Sequence, residues 1–202
     1  MGIYAIKPWF RGRLSGATDA LVRRRVTPDQ VTAAGLVAAF LGGAAVWAGD
    51  GRPLLWLLVP VLAFVRIAAN ALDGLVAQRA GLARPAGELF NETADRLADA
   101  AFLLPLATVD GVPAWLPFAA VAAAELAAFV GITARAAGGT RRYDGPMGKP
   151  DRMAVVGVAA VVAAFLERPE RAWTTGVAVV AVGALLTAVN RYRKAYSELE
   201  GR

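Results

Sequence analysis

The chain has neither cysteine nor histidine. Without cysteine there is no disulfide framework, no thiol nucleophile and no iron–sulfur cluster. Without histidine there is no imidazole base and no Ser-His or Cys-His dyad. Zinc on nitrogen or sulfur ligands is excluded on the same grounds. A bound metal must rest on oxygen ligands, which points to Mg²⁺, Mn²⁺ or Ca²⁺. Acid–base chemistry falls first to carboxylates. Charge is sparse too: 19% of the 202 residues are charged and 57% are hydrophobic. Soluble domains run about 45–50% apolar, so the mean hydropathy of +0.48 points to a membrane. The net charge of +6 is not read as a nucleic-acid footprint, because the chain is too apolar, and no nucleic acid is expected.

The charge-free runs locate the spans. Val31 to Ala48 is uncharged over 18 residues and Ala172 to Asn190 over 19, close to the ~20 that cross a bilayer as a helix. Pro53 to Val65 is apolar and continues into Arg66, Asn70 and Asp73. Glu88 to Val109 starts polar and ends apolar; Val112 to Ala134 holds one acid, Glu125; Met153 to Leu166 is short and uncharged. The expected fold is an all-α integral membrane protein with six transmembrane helices, a single domain over 1–202. Residues 1–28 read as an amphipathic cytoplasmic surface helix, 29–193 as the six-helix core and 194–202 as a cytoplasmic tail. In the surface helix Phe10, Leu14, Ala17 and Leu21 share one face among arginines, as in helices that lie on anionic lipid. Thr27-Pro28-Asp29-Gln30 reads as the cap of the first span.

Basic residues orient the bundle. With the N-terminus in the cytoplasm, 17 lie on that side: six within residues 1–30, Arg79 and Arg84, five from Arg135 to Arg152, and four from Arg191 onward. Only Arg52, Arg168 and Arg171 lie opposite. Both termini are therefore expected in the cytoplasm. The opening MGIYAIKPWF lacks the pattern of a secretory signal.

Residues 66–99 carry the chemistry. Arg66, Asn70, Asp73 and Ala77 share a helical face, and Glu88, Asn91, Glu92, Asp95 and Asp99 lie within an arc of roughly 100° on the next helix. The short Gly- and Pro-containing loop predicts antiparallel neighbours. Ionisable groups at membrane depth are costly and functional by default. Opposed carboxylates call for a cation, and their oxygens suit Mg²⁺ beside substrate phosphates. The bland alternative is a structural salt-bridge cluster neutralised by Arg66 and Arg96.

Asp73-Gly74-x-x-Ala77, nine residues, Gly87, seven residues and Asp95 resemble the CDP-alcohol phosphatidyltransferase motif D-x-x-D-G-x-x-A-R-x8-G-x3-D-x3-D. Thr27-Pro28-Asp29-Gln30-Val31-Thr32 is similar to the family's TPN-x-x-T at its first helix, and Gly148-Lys149 to the Gly-Lys opening its fifth. The chain departs from the motif at Asn70 and Asn91, where the family has Asp, and at Gln78, where it has Arg, with Arg79 following.

The resemblance implies transfer of a phosphatidyl group from CDP-diacylglycerol to an alcohol, with release of CMP, in a bacterial-type inner membrane. It implies one or two Mg²⁺ or Mn²⁺ ions on Asn70, Asp73, Asn91 and Asp95, with Glu88 and Glu92 on the same face able to restore the missing charge. Asp95 is the implied base. Asp73, Gly74, Ala77, Gln78, Arg79 and Gly87 are the implied CDP-binding set. Arg135, Lys149 and Arg191 are candidates for the acceptor. Implied partners are CDP-diacylglycerol, the alcohol and membrane lipid, and the Gly/Ala-rich helices permit a homodimer. Two rival readings stand beside it: a catalytically impaired CDP-lipid-binding homologue, and a small cation or proton transporter.

Overall fold

Prolines mark where the helices begin, because the first turn has no use for their missing N–H. Pro28, Pro85 and Pro169 are first residues of helices and Pro150 is a second residue. The computed structural model describes residues 13–201. Among them the helices are α1 (Ser15–Arg23), α2 (Pro28–Ala48), α3 (Leu58–Arg79), α4 (Pro85–Leu103), α5 (Trp115–Ala136), α6 (Lys149–Ala163) and α7 (Pro169–Glu200). A 3₁₀ turn, Pro53–Leu57, leads into α3, and another, Leu104–Thr108, follows α4. No strand occurs among the described residues.

The α2 cap forms as expected. The Thr27 hydroxyl accepts from Gln30 N–H at 3.3 Å and the Thr27 N–H donates to Gln30 Oε1 at 2.9 Å. At α6 the Gly148 N–H donates to Asp151 Oδ2 at 2.9 Å. In α1 only Thr18 is buried, Leu14 and Leu21 are half-buried and Ala17 is exposed; Phe10 lies outside the described residues.

The six longer helices close into a ring, in the order α2, α3, α6, α7, α5, α4 and back to α2. The α4–α5 joint has the sparsest packing of the six. Small residues set the close approaches. A Cβ on Gly35 would lie 2.7 Å from Ala69 Cβ, and one on Gly176 would lie 2.7 Å from Ala159 Cβ. Far from the polar residues, Trp56 and Trp173 meet edge to face at 5.6 Å, and the Trp56 indole donates to the Val46 carbonyl.

Among the described residues four helices are long and apolar enough to cross a membrane: Pro28–Gly49, Pro53–Arg79, Trp115–Ala136 and Pro169–Glu200. The expected third and fifth spans differ for physical reasons. Four acids, Glu88, Glu92, Asp95 and Asp99, and Arg96 interrupt α4, and α6 has 15 residues, which rise about 22 Å at 1.5 Å each. The two motif helices also depart from expectation. Despite their short loop, α3 and α4 are not packed as neighbours; each packs instead on α2. Polar side chains stand between them, and two cavities open there.

Candidate active site

The larger cavity, about 480 Å³, lies inside the helix ring. From α3 come Asn70, Asp73, Gly74 and Gln78, and from α4 Glu88, Asn91, Glu92 and Asp95. The faces read from helical periodicity therefore do converge. A second cavity, about 460 Å³, opens beside it between α2, α3 and the start of α4. It shares Asp73, Gly74, Gln78, Glu88 and Asn91 and adds Thr32, Ala77 and Gly87. Nothing lies within 4 Å of where a Gly74 Cβ would stand, so this glycine leaves open space at the junction. Arg79 lines neither cavity; it pairs with Asp19 of α1.

Each buried acid has its own partners. Asp73 Oδ2 accepts from the Thr32 hydroxyl at 2.8 Å and Oδ1 from the Gly74 N–H at 2.6 Å. Asp95 Oδ1 takes Arg66 at 2.5 Å and also Lys149. Asp99, deeper still, takes Arg152 at 2.5 Å. Arg66 and Asp99 are fully buried.

Glu88 and Glu92, candidates to restore charge at the metal, face arginines. Arg141 reaches both, Arg135 lies 3.3 Å from Glu88, and Arg96 lies 3.4 Å from Glu92.

The α5–α6 loop (137–148) is tied down over the cavity. Arg142 and Thr140 bind Glu198 of α7. Lys194 lies 2.7 Å from Asp144. Arg191 donates to the carbonyls of Ala127, Tyr143 and Asp144 at 2.8, 3.1 and 2.9 Å. The Arg141 guanidinium stacks on the Tyr143 ring, 4.9 Å from its centre. Burial pushes the Tyr143 phenol above its usual range against the pull of Arg141. Burial also pushes Asp144 up, but the Lys194 hydrogen bond and charge outweigh it and hold the carboxyl below its usual range.

Of the acceptor candidates, Lys149 and Arg191 line the larger cavity, while Arg135 holds Glu88.

The donor set fits a hard cation in one respect. Asn70 Oδ1 and Asn91 Oδ1 are buried with no hydrogen-bond partner, and an unsatisfied buried carbonyl costs free energy until something binds it. Among the described residues no group of three or more acids is arranged to hold an ion. That follows from the chemistry here: two of the four motif positions are carboxamides.

Sequence reading did not foresee the pairings of Thr32 with Asp73 or of Arg152 with Asp99. In the sequence Arg152 stands only among the basic residues that orient the bundle. Its spacing of three from Lys149 inside one helix puts both on the same face, and that signal was present.

No protein-family model matches the chain. It is 32% identical over 197 residues to the inner membrane protein YnbA of Escherichia coli, covering 96% of each chain. It is 31% identical over 189 residues to the phosphatidylinositol phosphate synthase of Mycolicibacterium smegmatis, covering 85% of this chain and 78% of that one. Among solved structures it shares the fold of Mycobacterium tuberculosis phosphatidylinositol phosphate synthase. The form with manganese and citrate matches at TM-score 0.75 and 22% identity, over 91% of this chain and 88% of that one. The form with CDP-DAG bound matches at the same score and identity, over 90% and 92%. The chain belongs to the CDP-alcohol phosphatidyltransferase family.

Proposed function

We propose that the protein transfers a phosphatidyl group from CDP-diacylglycerol to an alcohol and releases CMP. The observation that carries this reading is the convergence of Asn70, Asp73, Asn91 and Asp95 on one interior cavity, with two carbonyl oxygens left unsatisfied. The acceptor hydroxyl oxygen forms a bond to the phosphatidyl phosphorus. The bond from that phosphorus to the bridging oxygen breaks, and its electron pair leaves with CMP. The hydroxyl proton passes to Asp95. Arg66 and Lys149 both bond Oδ1 of Asp95, which orients the carboxylate and leaves Oδ2 for the hydroxyl. Asn70, Asp73, Asn91 and Asp95 are the residues that would hold Mg²⁺ or Mn²⁺, whose charge there neutralises the pyrophosphate. Gly74, Ala77, Gln78 and Gly87 line the room for the CDP moiety, and the acceptor lies toward Lys149 and Arg191.

The same reading takes α4 and α6 as two further spans, six in all, in a bacterial inner membrane. Both termini are cytoplasmic and α1 lies on the membrane surface, where Arg79 meets it through Asp19.

The test is CMP release by purified protein in liposomes containing CDP-diacylglycerol and Mn²⁺, offered a panel of alcohols. Release that is lost in Asp95→Asn supports transfer. Binding of CDP-diacylglycerol without release favours an impaired homologue, for which Asn70 and Asn91 argue. Cation flux without binding favours a transporter.

A further inference from the structure

Six cationic side chains line the larger cavity, and that number invites a phosphate. Their partners argue against one. Arg141 is 2.8 Å from Glu88 and also bonds Glu92. Arg142 is on Glu198 and Arg152 on Asp99. Lys149 is on Asp95, and Arg191 is on three backbone carbonyls. Arg96 lies between Glu92 at 3.4 Å and Glu125 at 3.7 Å. Each cation that lines the cavity therefore already faces carboxylate or carbonyl oxygens.

Asp73, Glu88, Glu92 and Asp95 also line the cavity. A phosphate arriving there would have to draw a guanidinium off its partner. At every one of these cations but Arg191, which sits on backbone carbonyls, it would then lie beside the carboxylate just released, in a half-buried site where like charges repel strongly. A hydroxyl meets no such barrier. It donates to a carboxylate and accepts from a guanidinium without parting the two.

We propose that the acceptor is a polyol without a phosphate group, and that Glu88 and Glu92 determine this by holding Arg141 and repelling anions. The proposal rests on the phosphatidyl-transfer reading and narrows its acceptor. It separates this chain from the Mycolicibacterium smegmatis relative, which is named for a phosphorylated product.

The experiment compares matched acceptors in CDP-diacylglycerol liposomes with the full-length protein: glycerol against glycerol 3-phosphate, and inositol against inositol 1-phosphate. The expected result is CMP release at least about tenfold faster with the unphosphorylated member of a pair, since a site can reject a closely related substrate by that much or more. Added inorganic phosphate should leave the rate unchanged. Glu88→Gln/Glu92→Gln, which frees Arg141, should shrink that ratio and make inorganic phosphate an inhibitor. If the double variant does not fold, Glu88→Gln alone, at an exposed position where Arg141 keeps only Glu92, should shrink the ratio in part.

Faster release with the phosphorylated members overturns the proposal and leaves transfer standing. An unchanged ratio in the folded variant overturns the assignment to Glu88 and Glu92. No CMP from any pair overturns the transfer reading, and the proposal with it.

Discussion

The double contact on Asp95 makes a quantitative prediction. Arg66 and Lys149 bond the same oxygen, Oδ1, and Arg66 is 0% exposed. Replacing Arg66 with Met removes one charge-assisted hydrogen bond, which contributes about 1.5–3 kcal/mol. Three things reduce that loss. Lys149 still neutralises Asp95. The repulsion between the two cations disappears. Nε and Nη1 of Arg66, buried without partners, no longer carry a desolvation cost.

Each single variant, Arg66→Met or Lys149→Met, is therefore expected to cost about 1–2 kcal/mol. The double variant strands Asp95, and losing the partners of a buried charge costs about 3–5 kcal/mol. The double should thus exceed the sum of the singles by about 1 kcal/mol. Adding Asp95→Asn to the double variant should recover most of that excess. The assay is equilibrium unfolding of all five proteins, wild type included, in one detergent. Additivity within about 0.5 kcal/mol would refute the shared-oxygen account, as would a single variant as unstable as the double.

Two glycines on neighbouring helices should respond in opposite ways. Gly35→Ala puts a methyl 2.7 Å from Ala69 Cβ and 3.0 Å from Arg66 Nη1; overpacking of this kind costs about 1–3 kcal/mol, read as a lower unfolding midpoint. Gly74→Ala meets nothing within 4 Å and should raise stability by about 0.5–1 kcal/mol, while CMP release falls because the methyl enters the cavity.

The loop provides a pH test. Asp144 is held below its ordinary value of 3.8, so its contribution is complete above that value and is lost as the pH falls through the lower, folded one. The stability difference between wild type and Asp144→Asn should be constant above about pH 5 and close in more acid solution; a gap that opens there instead would refute the assignment. Glu198→Gln loosens the anchor of Thr140 and Arg142, and amide exchange over residues 140–144 should quicken about tenfold, the equivalent of 1.4 kcal/mol.

Periodicity made the site legible where one helix presents one face. Asn70 and Asp73 on α3, and Glu88, Asn91, Glu92 and Asp95 on α4, line the same cavity as their spacing requires. The α2 cap was equally readable, because Thr27 and Gln30 are three residues apart and their bonds are local. What pattern could not give is pairing across the ring. Arg66 meets Asp95 from 29 residues away and Arg152 meets Asp99 from 53, and no local spacing encodes which acid a buried cation will choose. The expectation that α3 and α4 pack together failed for a related reason. A short loop limits how far two helix ends can separate, but apolar contact decides whether the helices touch, and these two turn polar faces toward each other.

The pairing also explains how the fold tolerates so many polar groups in its interior. Asp95 and Asp99 face Arg66, Lys149 and Arg152, Asp73 is satisfied by Thr32 and Gly74, and Asn70 and Asn91 are neutral. Three acids and three cations balance before any ion binds. Asp at both Asn positions would add two negative charges with no cation assigned to them, each costing several kcal/mol when buried alone. Such a site would lean on a divalent ion for stability more than the present one does. Chelation with EDTA is therefore expected to shift the unfolding midpoint of the wild type little and to lower that of Asn70→Asp/Asn91→Asp. Saturating Mn²⁺ should return about 2.7 kcal/mol to the variant at a hundredfold excess over its dissociation constant. A double variant as stable in EDTA as the wild type would show that Asn70 and Asn91 are not what frees this interior from dependence on a metal.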